Sequence, residues 1–169
     1  MKTVFAALAL LSVTVVSQLV GQGEETLAGL KGVSVYVERI KDEVQRDGLE
    51  EGQISTDVEL RLRQAGVPIL TKQQSFDSAG SPILDIDVHA VKVTSEGVAS
   101  FYAYHVHIEL NQEVRLVRKP SLEVHATTWS GGSSVGAIGA DQLRSVRDVV
   151  RDQTDQFINA YLAANPKRR

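Results

Sequence analysis

Apolar and polar residues alternate along most of the middle of this chain, and in two places the period lengthens to three or four. Val33, Val35 and Val37 alternate with Ser34, Tyr36 and Glu38, which predicts a first strand ending near Ile40. Leu84, Ile86, Val88 and Ala90 alternate with Asp85, Asp87 and His89, the mark of a strand buried on one face. Its parity slips after Ala90, where Val91 and Val93 become the apolar set, so a bulge or an edge is expected there. Tyr102, Tyr104, Val106, Ile108 and Leu110 alternate with Ala103, His105, His107, Glu109 and Asn111. Leu122, Val124 and Ala126 carry a further strand toward Trp129, and Val67 to Thr71 predicts a short one at a proline step.

The helical period falls on Ile54, Val58, Leu62 and Ala65, with Gly66 as the stop. Thr56-Asp57-Val58-Glu59 has the form of a capping box, and Asp47 with Glu50 offers a rival, earlier start. Leu143, Val146, Val150, Thr154, Phe157 and Tyr161 form a second stripe, from Asp141 to a stop at Asn165-Pro166. About 24 residues would make a helix of roughly 36 Å. Between these elements, Lys41 to Gly52 reads as a charged loop or frayed helix start, and Lys72 to Ser81 as a polar loop. Ser95-Glu96-Gly97 and Arg118-Lys119-Pro120-Ser121 read as turns, and Gly131 to Gly139 as a glycine-rich loop.

The expected order is therefore β-α-β-β-β-β-α. It implies an α+β fold, a single mostly antiparallel sheet with two helices packed on one face. Residues 24–166 form one domain, with neither repeat nor linker, and Lys167-Arg168-Arg169 is a solvated basic tail. A hydrophobic content of 43% is that of a globular chain rather than a disordered one.

The first residues add a compartment. Lys2 is a basic start, Val4 to Val16 is apolar apart from Ser12 and Thr14, and Val15-Val16-Ser17 supplies the small residues of a cleavage site. Gln18, Gly21, Gln22 and Gly23 end the run short of the roughly 20 residues a spanning helix needs. Residues 1–17 are read as a secretory signal, cleaved after Ser17 or as late as 21–23, and no integral membrane segment is expected after cleavage. The protein is then periplasmic or secreted. It has no cysteine, so disulfides, thiol chemistry and a lipid-bearing cysteine are all excluded. The net charge of −3 gives no case for binding nucleic acid. Asn111, Asn159 and Asn165 each lack the Ser or Thr of a glycosylation sequon.

Candidate chemistry is sparse. Gly132-Ser133-Ser134-Val135-Gly136 fits the nucleophile pattern G-x-S-x-G. No histidine follows His125, and the next helix begins several residues on. A hydrolase at Ser134 is thus the weakest reading, and no catalytic residue is assigned. Gly131 to Gly136 lacks the Lys and Ser/Thr of a phosphate loop. The four histidines all fall in expected strands. His105 and His107 share a face, His89 lies with Asp85 and Asp87, and His125 with Glu123. Were these strands neighbours, one open face would carry His89, His105, His107 and His125, a donor set suited to a divalent transition metal. The competing reading is a solvated or partner-covered face. Strict alternation also puts Trp129 beside His125 as a contact residue, with the core edge as the alternative. No organic cofactor is implied.

Asp57-Val58-Glu59-Leu60-Arg61-Leu62-Arg63-Gln64-Ala65-Gly66-Val67, Ala126-Thr127-Thr128-Trp129-Ser130 and Phe157-Ile158-Asn159-Ala160-Tyr161-Leu162 together resemble a family of small exported bacterial α/β proteins. The resemblance covers about Leu27 to Asn165 and supplies no catalytic residue. The order of elements is also similar to that of the lipopolysaccharide-assembly lipoprotein and the TolB amino-terminal domain, a likeness of fold alone. The acylated cysteine of the lipoprotein has no counterpart here. These observations favour a non-catalytic module that binds a protein or another envelope component, through the histidine face or the edge near Trp129.

Overall fold

The computed structural model describes residues 23–96 and 98–166. The leader, Gly97 in the expected turn and the basic tail lie outside the described residues. A 3-10 turn, Glu24–Leu27, precedes strand β1, Ser34–Val37. Helices α1 (Asp42–Arg46), α2 (Glu51–Ala65) and α3 (Lys72–Phe76) follow. Three long strands come next: β2 (Ile83–Ser95), β3 (Val98–Leu116) and β4 (Lys119–Gly139). A second 3-10 turn, Ala140–Ser145, leads into α4, Val146–Ala164. The sheet order is β1-β2-β3-β4, with β1 and β2 parallel and the other pairs antiparallel. A parallel pair needs a crossover, and the three helices between β1 and β2 provide it.

The fold is an α+β two-layer arrangement in which α2 and α4 pack on one face of the sheet. The period-two residues Leu84, Ile86, Val88, Tyr102, Val106, Ile108 and Leu110 are buried on that face. They meet Ile54, Val58 and Leu62 from α2 and Val146, Val150, Phe157 and Tyr161 from α4, all buried. Both helical stripes are therefore core. Two ion pairs tie the helices together outside it. Arg61 of α2 donates from Nε and Nη2 to the two carboxylate oxygens of Asp155 of α4, and Arg147 of α4 reaches Asp57 at 2.7 Å and Gln53 at 2.7 Å. Among the described residues, no helix is long and apolar enough to cross a membrane.

Several expected elements differ. α2 starts at Glu51, so Thr56 lies inside the helix, where its hydroxyl donates to the Gly52 carbonyl at 2.7 Å instead of capping. Asp47 ends α1, and its carboxylate accepts from Lys92 at 2.7 Å and from the Tyr102 hydroxyl at 2.5 Å. Those two bonds, that to Lys92 first, hold Asp47 below the usual carboxylate range. The expected strand at 67–71 is reduced to a single bridge, Val33 to Ile69. The polar segment after it forms α3. Thr71 accepts from the Gln74 amide at 3.2 Å, and the Gln74 side chain accepts from the Thr71 amide at 2.9 Å, a complete capping box.

The expected bulge is not at Ala90, but the expected edge is there: among the described residues β1 pairs with β2 only from Ile83 to Ile86, and the β2–β3 register shifts between Val93 and Ser95. The β2–β3 register runs unbroken from Ile83 to Val93, and Val91 and Val93 simply continue the open face as exposed apolar residues. The expected glycine-rich loop is the second half of β4. The last helix begins only at Val146, because Ala140–Ser145 is wound as 3-10, so α4 is about 28 Å long.

Candidate binding face and metal-ligand cluster

With α2 and α4 on one side, no helix among the described residues covers the opposite face of the sheet. Its residues follow from the register. Asp85, Asp87 and His89 of β2 stand opposite Glu109, His107 and His105 of β3, in that order. Tyr36 of β1 pairs with Asp85, and the amide of Glu38, one residue past β1, donates to the Ile86 carbonyl at 2.9 Å. Glu38 is thereby carried beside Asp87. On the other flank, Ser133 of β4 pairs with His107.

Three imidazoles form a row across these strands. The rings of His89 and His105 are stacked at 6.5 Å between centroids, and those of His105 and His107 at 6.1 Å. Asp87 sits between the first two. Its Oδ1 is 3.0 Å from His89 Nε2, and its Oδ2 is 3.9 Å from His105 Nδ1. The first contact lacks hydrogen-bond alignment, so Asp87 Oδ1 is shielded from solvent without a hydrogen-bond partner. Asp85 Oδ1 is in the same condition, while Asp85 Oδ2 accepts from Asn111 at 3.4 Å. Burial, and then the charges of Glu38, Glu109 and Asp87, push the Asp85 carboxyl from 3.8 up to about 6.

His107 faces a different set of partners. Its Nδ1 is 2.8 Å from the Gly132 carbonyl and 3.2 Å from Ser133 Oγ, and its Nε2 is 3.2 Å from Glu109 Oε2. A serine, a histidine and a glutamate therefore stand in line. A general base needs a ring nitrogen with a free lone pair toward the hydroxyl. The short contact to the Gly132 carbonyl calls for a proton on Nδ1, which leaves that nitrogen unable to accept from Ser133. Ser134 is turned the other way. It lies on the helix side, where its Oγ accepts from Gln153 Nε2 at 2.9 Å, inside a strand rather than at a strand-to-helix turn.

Two of the expected surface residues lie elsewhere. His125 is exposed on the open side but pairs with Glu113, six residues along β3 from His107. At about 3.4 Å per residue that is roughly 20 Å away, so His125 does not join the cluster. Trp129 is buried, 5% exposed, with its ring edge-on to Phe157 at 5.1 Å. The reason lies in the ladder. Asn111 pairs with Thr127 but Leu110 pairs with Trp129, so Thr128 is an extra residue that turns the tryptophan to the core. A second register shift, between His107 and Glu109, absorbs another residue around Gly131 and Gly132. The carboxylates of Glu38 and Glu109 were not singled out from the sequence. Glu38 shares the parity of Tyr36, but only the parallel pairing of β1 with β2 brings it to Asp87.

The fold and this face define an open-faced α+β domain with a polar, imidazole-rich surface. No protein-family model matches the chain, and no curated protein matches it. Among solved structures, a minor lipoprotein from Acinetobacter baumannii aligns with 80% of this chain and 94% of its own, at 11% identity and a TM-score of 0.36. An overlap that low carries no inference about function.

Proposed function

We propose that this protein is an exported, non-catalytic binding or accessory module of the bacterial cell envelope, and that it works through the open face of its sheet. The observation that carries the reading is the segregation of the two faces. All the packing residues are spent on the helix side, and the other side keeps a surface with two halves. One half holds Tyr36, Glu38, Asp85, Asp87, His89, His105, His107 and Glu109. The other presents Val91, Val93 and Val135, which are 51%, 36% and 78% exposed. Adjacent apolar and polar areas on an uncovered surface are the usual make-up of a contact site. Export rests on the leader pattern of residues 1–17.

The test is site-specific photocrosslinking in intact cells. A photoreactive residue at Val135, on the open face, is expected to give a discrete adduct with an envelope component. The same residue at Leu60, exposed on the outside of α2, is expected to give none. Adducts from Leu60 alone, or from neither position, would sink the reading.

A further inference from the structure

We propose that Glu38, Asp87 and His89 form a binding site for a first-row divalent cation of the Zn²⁺ type, with His105 as its flanking partner. This goes beyond the contact-surface reading and does not depend on it.

Geometry comes first. One donor atom from each of Glu38, Asp87 and His89 lies within 4.8 Å of the other two. A four-coordinate ion with bonds of about 2.0–2.2 Å holds its donors roughly 3–4 Å apart. The backbone that presents them is strand β2 and the residue after β1, whose amide is bonded to the Ile86 carbonyl, so only side-chain rotation is needed to close the set. His89 has that freedom, with its side chain 60% exposed. The partners are also independent in sequence, since Glu38 lies one residue past β1 and the other two come from β2.

Charge balance is the second argument. Glu38, Asp85, Asp87 and Glu109 crowd one patch. Among the described residues, none of the four has a lysine or arginine within ion-pairing distance, and the basic groups that contact Asp87 and Glu109 are imidazoles. Elsewhere among the described residues, several carboxylates are met by guanidinium or ammonium groups, as at Asp47, Asp57, Glu59, Glu123 and Asp155. A bound divalent cation would relieve that excess. It would also give Asp87 Oδ1, which is shielded and without a hydrogen bond, the partner that buried carboxylate oxygens normally have.

Donor chemistry then narrows the ion. Two carboxylates and one imidazole, with no thiolate, suit borderline divalent ions such as Zn²⁺ or Ni²⁺ and exclude a soft Cu⁺ site. Three protein ligands leave a coordination position for water. His105 Nδ1, 3.9 Å from Asp87 Oδ2, stands where a second-layer group orients a carboxylate ligand. His107 and His125 play no part, the first being taken by Gly132 and Glu109 and the second lying at the far end of the hairpin.

The experiment uses the whole protein, purified without a polyhistidine tag and stripped with a chelator. Zn²⁺ is titrated by calorimetry and Co²⁺ by its visible ligand-field absorption. Saturable binding of one ion per chain is expected. Glu38→Gln and His89→Ala should each weaken it by at least about tenfold. His125→Ala should leave it unchanged. Circular dichroism and thermal melts without metal check that the variants fold as the parent does. Non-saturable binding would overturn the site. So would a His125→Ala effect equal to that of His89→Ala, or full affinity in the Glu38→Gln protein.

Discussion

Tyr104 and Gly136 face each other across the β3–β4 ladder, and the tyrosine ring fills the space a side chain at 136 would need. A Cβ built on Gly136 would lie 2.5 Å from the Tyr104 hydroxyl oxygen and 2.6 Å from the ring carbon bearing it. The ring covers the bare backbone of the edge strand, and the absence of a side chain lets it do so. Gly136→Ala must then displace a half-buried aromatic side chain, and about 1–3 kcal/mol of stability should be lost. Gly52→Ala is the control. Nothing lies within 4 Å of a Cβ there, inside α2, and roughly 0.5–1 kcal/mol should be gained. Urea midpoints of the two variants should move in opposite directions. A Gly136→Ala protein as stable as the parent would remove the packing role of this pair.

That pair also marks where pattern reading stops. The alternation in β2 and β3 is strict, and every residue it assigns to the helix side from Leu84 to Ala90 is buried. The two long helical stripes are equally legible, since each runs along one face for three or more turns. β4 resists because two extra residues, near Thr128 and near Gly131, reset its parity twice. Counting by twos from His125 therefore lands on the wrong face at Trp129. Gly136, which looks like part of a loop, is a strand residue overlaid by the Tyr104 ring, and no local signal distinguishes the two. α3 was readable: Thr71-Lys72-Gln73-Gln74 has capping-box spacing, but the polar composition around it pointed to a loop. The candidate site divides in the same way. His89, His105 and His107 come together because β2 and β3 are joined by a hairpin. Glu38 arrives by a parallel pairing across the whole α1–α3 crossover, which has no local signature.

Asn165 closes the far end of α4 onto the lead-in segment. Its Nδ2 donates to the Leu27 carbonyl at 2.8 Å and to the Tyr161 carbonyl at 3.0 Å, and its Oδ1 accepts from the Gly29 amide at 2.8 Å. The neighbouring Tyr161 hydroxyl donates to the Leu30 carbonyl at 2.9 Å. Asn165→Ala leaves several of these backbone groups without a partner, at a cost of about 1–3 kcal/mol. The loss should be visible locally before it is global. Amide exchange at Gly29 should speed up under conditions where the amides of β3 stay protected. Unchanged protection at Gly29 would count against this tie.

The Arg61–Asp155 pair predicts a pH signature. The Arg61 hydrogen bonds, outweighing partial burial, hold the Asp155 carboxyl below its ordinary 3.8. A depressed folded-state pKa adds stability that is present above 3.8 and lost as the pH falls through the lower, folded value. The side chains are 36% and 42% exposed, so solvent screening limits the contribution to about 0.2–1 kcal/mol. Asp155→Asn should therefore melt below the parent at neutral pH, and the two curves should converge in acid. Added salt should narrow the neutral gap as well. A gap that persists once the pH is well below the lowered, folded-state value would assign the effect to packing rather than charge.

Ser134 separates a structural hydroxyl from a nucleophilic one. Gln153 is buried, and its Nε2 donates both to Ser134 Oγ at 2.9 Å and to the Val106 carbonyl at 3.0 Å, tying α4 to β3 and β4 at once. The Gln153 Oε1 has no partner, so the amide is held by its donor side alone. Ser134→Ala removes one of two acceptors and should cost about 0.5–1.5 kcal/mol. Gln153→Ala should cost more, because it also opens a cavity beneath α4. In the double variant the two losses should be less than additive, since the serine bond can be lost only once. Hydrolysis of an activated ester should be the same in parent and Ser134→Ala proteins, because no imidazole stands near this hydroxyl to take its proton. A drop in ester turnover at unchanged stability would reverse the assignment and return Ser134 to the list of nucleophiles.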